Sequence, residues 1–153
     1  MKPRKLRNVL LPPRFVSFKP QGVALRDTET ILLSIEEYEA LRLADFEKLK
    51  HYEAAEKMNI SRPTFTRLLE SAHSKTAEAF VEGRAIRIEG GDYKLAEHIY
   101  GCRRCGYAYN YNAVDQSKPS NCPQCSSEEL YEVKGQMPNR PQKGRWHGPK
   151  RII

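Results

Sequence analysis

The four cysteines of this 153-residue chain occur as two closely spaced pairs, and this spacing constrains the fold more than any other feature. The pattern is Cys102-x-x-Cys105, then sixteen residues, then Cys122-x-x-Cys125. Two thiolates three positions apart, joined by a tight turn, can both face one ion, and two such turns supply the four sulfur ligands that tetrahedral zinc prefers. The spacing therefore predicts a zinc ribbon in which metal binding replaces the core that so short a segment lacks.

The identity of the metal is less constrained than the ligand set. The two Cys-x-x-Cys turns resemble the knuckles of rubredoxin-like domains, which can hold iron, and tetrahedral sulfur suits either ion. We predict Zn²⁺, with Fe as the alternative, because Ser126 stands where such electron carriers usually have Gly and because Arg103 and Arg104 lie inside the first knuckle. Disulfides are disfavoured, since the chain shows neither a signal peptide nor a membrane-spanning run and we expect a reducing, cytoplasmic location.

The positive charge of the chain is concentrated in its two flanks. Residues 1–26 carry seven Lys or Arg, residues 134–153 carry six, and neither segment contains an acid. The middle of the chain has 13 basic and 19 acidic residues, so the net charge of +7 comes entirely from the flanks. Basic flanks on a mildly acidic body are typical of a protein that binds nucleic acid, although solubilising tails have the same composition.

Hydrophobic periodicity predicts a mostly α fold with small β elements (α+β), in which a helix-turn-helix domain precedes the zinc ribbon. The predicted segments are a basic N-terminal arm with short strands (1–33), a helix-turn-helix domain (34–91), a zinc-ribbon or rubredoxin-like metal domain (98–133) and a basic, disordered tail (134–153).

Local signals predict where two of the helices begin and end. Ser34 and Glu37 have the spacing of a capping box, which indicates a helix start. A long helix is expected to begin at Ser61 and to stop at Gly83, where glycine tolerates the left-handed backbone of a helix end. Its apolar face is predicted to run from Phe65 to Phe80.

Residues 51–72 have the features of a helix-turn-helix. Ala55 supplies a small residue where the two helices touch, and Asn59 can adopt positive φ at the turn. Ser61 is suited to cap the second helix, and Pro63 lies in its first turn, where a missing N–H does no harm.

The start of this second helix carries the side chains that we predict to contact DNA, because the N-terminal residues of a recognition helix meet base edges in the major groove. Arg can bind guanine through two hydrogen bonds, Thr can contact a thymine methyl group, and Lys and helix N–H groups serve phosphates. The predicted DNA-binding residues are Ser61, Arg62, Pro63, Thr64, Thr66, Arg67 and Lys75. Three nearby acids, Glu53, Glu56 and Glu70, are expected to face away from the phosphates.

Five short runs follow one another in the order seen in a known family. They are Phe18-Lys-Pro20, Leu41-Arg-Leu-Ala-Asp45, Glu53-Ala-Ala-Glu56, Ser61-Arg-Pro-Thr-Phe65 and Arg87-Ile-Glu-Gly-Gly91. With these runs, residues 1–91 resemble the prokaryotic predicted DNA-binding family catalogued as domain of unknown function 134 (UPF0251). The resemblance implies a helix-turn-helix similar to region 4 of sigma factors, a role in transcription and no catalytic activity. It does not imply the cysteine ribbon, which rests on its own spacing.

The leading hypothesis is a sequence-specific DNA-binding protein and transcriptional regulator that binds double-stranded DNA, with a homodimer or RNA polymerase as further partners. One alternative is a rubredoxin-like iron redox protein. Another is a zinc-ribbon adaptor of RNA or the transcription machinery, in which arginines 103 and 104 and tyrosines 107, 109 and 111 form a basic and aromatic surface. We predict no enzymatic activity and no small-molecule substrate, because a four-thiolate site leaves no open position for water.

Overall fold

The structure, a computed structural model, describes residues 5–111 and 117–134. The predicted basic tail therefore lies outside the described residues, apart from Lys134. Within the described ranges, no helix is both long enough and apolar enough to cross a membrane.

Three helices form the body of the molecule. Helix α1 spans Ile35–Leu41 and continues into a π-helical turn at Arg42–Phe46, α2 spans His51–Lys57, and α3 spans Arg62–Glu82. The predicted capping box is confirmed, since Glu37 N donates to Ser34 Oγ at 3.2 Å and Ser34 N donates to Glu37 Oε2 at 2.8 Å. The predicted stop of α3 is confirmed as well, since Gly83 adopts a left-handed φ of 66°.

Short strands from both ends of the helical segment pair with one another. The strands are β1 (Arg7–Val9), β2 (Ser17–Phe18), β3 (Thr30–Leu33), β4 (Ala85–Ile88) and β5 (Tyr93–Leu95). Strand β4 lies between antiparallel β2 and parallel β3, and β1 pairs in parallel with β5. The described part of the predicted N-terminal arm therefore belongs to the sheets of the helical domain. Its strands pair with strands that follow α3, so the predicted boundary at residue 33 does not separate two structural units.

The helices and sheets enclose two adjoining apolar clusters. The first lies between the helices and contains Ala40, Leu43, Ala54, Ala55, Met58, Phe65 and Leu69. The second joins α1 and α3 to the strands and contains Val9, Leu33, Ile35, Ala72, Ile88 and Tyr93. The prediction that Phe80 shares the apolar face was wrong, because its side chain is 80% exposed. Phe80 comes fifteen residues after Phe65, which turns it about 60° away on the helix, and only Ala79 in this last stretch is buried.

Buried carboxylates on α1 fasten the N-terminal segment and α3 to the same helix. Glu36 pairs with Arg7 of β1, and Glu39 accepts a hydrogen bond from Leu10 N at 2.8 Å. On the other side, Glu37 accepts from Ser71 Oγ at 2.6 Å and from Lys75 Nζ at 2.8 Å. These contacts satisfy charges that would otherwise be costly to bury, and they set where β1 and α3 lie.

The cysteine segment forms a separate antiparallel sheet. Its strands are β6 (Ile99–Cys102), β7 (Ala108–Asn110) and β8 (Leu130–Val133). Strand β6 is central and all four of its residues are buried, with β7 on one side and β8 on the other.

Candidate metal centre and candidate nucleic-acid interface

The structure brings the four predicted ligands together at one end of the ribbon sheet. Their four Sγ atoms all lie within 4.8 Å of one another, and two of the sulfur–sulfur distances, Cys102 to Cys125 and Cys105 to Cys122, are 3.6 Å. Zinc–sulfur bonds of about 2.3 Å in a tetrahedron place the sulfurs about 3.8 Å apart. The distances are far too long for disulfides, which need roughly 2.05 Å. The donor set and its spacing therefore fit a metal ion.

The two knuckles have the same backbone structure. In the first, Gly106 N donates to Cys102 O at 2.9 Å and Cys102 N donates to Tyr107 O at 2.9 Å. In the second, Ser126 N donates to Cys122 O and Cys122 N donates to the carbonyl of residue 127, both at 2.8 Å. Gly106 and Ser126 occupy equivalent positions and both have positive φ, 71° and 59°. The second knuckle thus keeps the turn that glycine favours without a glycine.

The surroundings of the sulfurs bear on their charge. Burial alone would raise the pKa of Cys102, but the backbone N–H groups of Cys105 and Arg104 donate to its sulfur and lower the pKa to about 7. Burial and the adjoining sulfurs raise the pKa of Cys105 to about 12. Four crowded sulfurs resist carrying four negative charges together, and a divalent cation among them would relieve that repulsion.

A contact from the N-terminal segment reaches the first knuckle. Arg14 Nη2 donates to the backbone oxygen of Cys105 at 2.8 Å, across 91 residues of sequence. No sequence signal identified this contact, because it depends on how the chain passes from β1 towards the ribbon. It places a third arginine beside Arg103 and Arg104.

The second candidate site is the junction between α2 and α3. The two helices meet at buried Ala55 and Phe65, as predicted, and Ile60 N donates to Ala55 O at 3.0 Å to close the turn. Asn59 adopts the expected positive φ of 56°. Its side chain accepts a hydrogen bond from Lys5 Nζ at 3.2 Å, which brings a basic residue of the N-terminal segment to the turn.

Three of the predicted DNA-binding residues are occupied in local hydrogen bonds at the start of α3. Ser61 caps the helix, with its Oγ accepting from Thr64 N at 3.3 Å and lying 2.8 Å from Thr64 Oγ1. Thr66 Oγ1 lies 3.0 Å from His51 Nδ1. His51-Tyr-Glu53 is a His-x-Glu tripeptide, a spacing used by zinc deaminases. Here Glu53 instead accepts from Lys50 N at 2.8 Å to cap α2, and in the described residues only the cysteines cluster as metal ligands.

In the first two turns of α3 the exposed residues are Arg62, Pro63 and Arg67, and the capping Ser61 before them is exposed as well. Within the described residues neither arginine forms an ion pair, whereas Arg7, Arg42 and Arg84 do. Lys75 lies farther along the helix and is paired with Glu37, so the structure does not bring it to the same place as the other predicted DNA-binding residues.

The three acids near this surface differ in their placement. Glu53 is occupied by the cap of α2, while Glu56 and Glu70 are exposed. Glu70 falls on the same stripe of α3 as Pro63 and Arg67, at helical spacing. The exposed stripe is therefore basic only over the first two turns of α3.

Comparison with known proteins shows to which family this chain belongs. The family described as "Protein of unknown function DUF134" matches residues 1–96. The chain is a member of this family. A UPF0251 protein of Chloroherpeton thalassium is 45% identical over 133 residues, which cover 87% of each chain, and one of Pelotomaculum thermopropionicum is 42% identical over 132 residues, covering 86% of this chain and 98% of the relative.

The likeness also extends past the part that the family model matches. A UPF0251 protein of Moorella thermoacetica is 44% identical over 146 residues, covering 95% of this chain and 92% of the relative. A match of that extent includes the segment that holds the four cysteines. No solved structure matches the chain.

Proposed function

We propose that this protein binds double-stranded DNA in a sequence-specific manner and regulates transcription, with the start of α3 in the major groove. The observation that carries the proposal is a pair of exposed arginines close to the turn between α2 and α3. Arg62 directly precedes Pro63, Arg67 lies one helical turn after it, and neither has an ion-pair partner in the described residues. An arginine without a carboxylate partner keeps its N–H groups for a base edge or a phosphate. The net charge of +7 adds an attraction to DNA that does not depend on sequence.

The capped and packed start of α3 supports the same function. Base recognition needs side chains on a rigid element, and here His51 and Ser61 hold the neighbouring threonines while Phe65 anchors the helix in the core. The exposed arginines therefore project from a fixed backbone. Because Glu70 ends the basic stripe, the proposed contact is confined to the first two turns and covers a short site, which favours a homodimer on two half-sites or assistance from another protein.

Selection of bound sequences from random duplex DNA, followed by binding assays on the selected duplex, tests this function. We expect Arg67→Ala to cost about 1–3 kcal/mol of specific binding, roughly a 5- to 150-fold rise in Kd, and to relax the preference at one base pair. Arg26→Ala is the control, because it removes an exposed positive charge, paired with Asp27, from a turn outside α3. If the selection enriches no sequence, the proposal is refuted. If Arg67→Ala weakens binding equally on all duplexes, Arg67 contacts a phosphate and not a base.

The contribution of the basic N-terminal segment to DNA binding is better tested by a single substitution than by a truncation. Removing residues 1–7 would delete Arg7, whose pairing with buried Glu36 stabilises the fold. Lys5→Ala leaves that pair intact and removes the lysine side chain whose amine lies at the turn. If Lys5 contacts a phosphate, this variant should lower the slope of log K against log salt by about 0.9.

We further propose that the cysteine cluster holds zinc in a structural role and that the protein has no catalytic activity. The four thiolates already satisfy tetrahedral coordination, so no position is left for water or substrate. Metal analysis of the purified protein should find one zinc per chain and no colour. A red preparation with one iron per chain would instead favour the redox alternative.

A further inference from the structure

The outer surface of the first knuckle combines a flat aromatic ring with positive charge. Tyr107 stacks on Tyr109, with ring centroids 5.8 Å apart and an angle of 19° between the rings. Tyr109 in turn contacts Tyr111 and Tyr100, which fixes the stack against the sheet. Tyr107 is still 40% exposed although one of its faces lies against Tyr109, and we take the exposed part of the ring to be its other face.

Three arginines lie at this knuckle, and two of them, Arg104 and Arg14, keep guanidinium N–H groups that a ligand could bind. Arg103 packs over the Tyr131 ring, with its Cζ atom 5.1 Å from the centroid. Arg104 is exposed, and Arg14 uses one N–H group on Cys105 O. In the described residues none of the three has a carboxylate oxygen within 4.0 Å. Arg103 N does donate a hydrogen bond to Glu129, but to its backbone oxygen and not to its carboxylate.

The backbone of the knuckle holds these groups in place. Tyr107 O accepts from Cys102 N, so the tyrosine is fixed directly beside the sulfur ligands. Arg104 and Tyr107 belong to one hydrogen-bonded knuckle, and Arg14 donates a hydrogen bond to it. Groups held in this way lose less entropy when a ligand binds.

We infer that this surface, formed by Tyr107, Arg104 and Arg14, binds single-stranded nucleic acid, with one base stacked on the open face of Tyr107 and phosphates held by the arginines. Stacking on aromatic side chains beside a basic groove is how proteins bind single strands without reading their sequence. A base paired within a duplex is already stacked on both faces, so the open ring favours an unpaired strand. The surface uses none of the residues proposed for duplex recognition.

Fluorescence anisotropy with the full-length, zinc-loaded protein tests the inference. The probes are labelled oligothymidine and oligouridine of about 12 nucleotides, a length that one small module covers. Tyr107→Ala should raise Kd by about 5- to 150-fold, the range for loss of one stacked base, while Tyr107→Phe should bind like the wild type because its ring still stacks. Arg104→Ala should weaken binding and lower the salt slope by about 0.7.

Matched controls separate this surface from others. Tyr52→Ala removes a tyrosine that is 55% exposed on α2, far in sequence from the ribbon, and should leave Kd unchanged. Tyr107→Ala should also leave binding to the selected duplex unchanged, so the failure of the duplex function and the failure of this surface give different results. Each variant is first checked for one zinc per chain, and Arg104→Ala provides the test if Tyr107→Ala loses its metal.

The expected pattern is loss with Tyr107→Ala and Arg104→Ala, with Tyr107→Phe and Tyr52→Ala intact. Tighter binding of oligouridine than of oligothymidine would identify RNA as the ligand, and the reverse would identify an unpaired DNA strand. The inference is overturned if the wild type binds neither oligonucleotide, or if Tyr107→Phe loses as much affinity as Tyr107→Ala.

Discussion

Gly91 is a position where a single methyl group is expected to damage the fold severely. It has a φ of 104°, which side-chain-bearing residues rarely adopt, and a Cβ atom there would lie 2.9 Å from Glu36 Cδ and closer still to its Oε2. Glu36 is buried and pairs with Arg7, so it has little room to move. The neighbouring Gly90 has a φ of 75°, and a Cβ atom there would meet nothing within 4 Å. The two glycines therefore form a matched pair.

The expected magnitudes follow from this difference. Gly90→Ala should cost only the strain of a left-handed residue, about 1–2 kcal/mol in the free energy of unfolding. Gly91→Ala should cost at least this strain, because its φ of 104° lies farther from the left-handed region that other residues can adopt, plus the displacement of Glu36. Breaking a buried pair costs about 3–5 kcal/mol, and we take about 2–3 kcal/mol here because the Arg7 side chain is 31% exposed and partly solvated. The total for Gly91→Ala is about 3–5 kcal/mol.

Urea unfolding of the zinc-loaded protein, followed by circular dichroism, measures both variants. A third and a fourth variant, Glu36→Ala alone and combined with Gly91→Ala, complete a double-mutant cycle. With Glu36 shortened the overlap with its carboxylate disappears, so the cost of Gly91→Ala should fall by about 2–3 kcal/mol and only the backbone strain should remain. Equal losses for Gly90→Ala and Gly91→Ala in the wild-type background would refute the reasoning.

Three further predictions concern the metal knuckles and the buried acids. Ser126→Gly should stabilise the zinc-loaded protein by up to about 1 kcal/mol in urea, because glycine removes the strain of a φ of 59° at some cost in chain entropy, and Ser126→Ala should not. Chelation of the metal should abolish the ribbon sheet in NMR spectra but leave the helical circular dichroism of α3, since the ribbon depends on its metal; loss of the helical signal would contradict this. Burial alone would raise the pKa of Glu37, but hydrogen bonds from Lys75, Ser71 and Ser34 outweigh it and hold the pKa below its ordinary 4.5. A carboxyl whose folded pKa is lowered stabilises the protein above its ordinary pKa, and that stabilisation disappears as pH falls through the folded value. The stability difference between wild type and Glu37→Gln should therefore shrink below pH 4.5, and a constant difference would argue against an ionised Glu37.

Features that depend on a few neighbouring residues were predictable from the sequence. The cap at Ser34, the positive φ at Asn59, the end of α3 at Gly83 and the two Cys-x-x-Cys knuckles each follow from backbone preferences and hydrogen bonds within about five residues. Such interactions form in nearly the same way whatever the rest of the chain does. For this reason the sequence predicted correctly that the four cysteines come together and that α3 begins after Ser61.

The tertiary structure decided which distant groups meet. The parallel pairs β1–β5 and β3–β4 join segments separated by the whole helical region, and three-residue strands such as β5 carry too few residues to show alternation. The partners Glu36 for Arg7 and Glu37 for Lys75 could not be read from spacing either, because any acid in the chain can pair with any base until packing selects one.

The surfaces left open for partners were also decided by packing. The sequence pattern put Phe80 on the apolar face, but at that point of α3 the helix buries the neighbouring Ala79 and leaves Phe80 in solvent. The same chain course brings Arg14 to the cysteine knuckle beside Tyr107, where it forms part of the surface that we assign to single-stranded nucleic acid. The sequence by itself determined the local structure of the two candidate sites, the cysteine knuckles and the start of α3, since each is built from neighbouring residues. Only the tertiary structure determined which charges remain unpaired around them, because pairing over long sequence separations is set by how the elements pack.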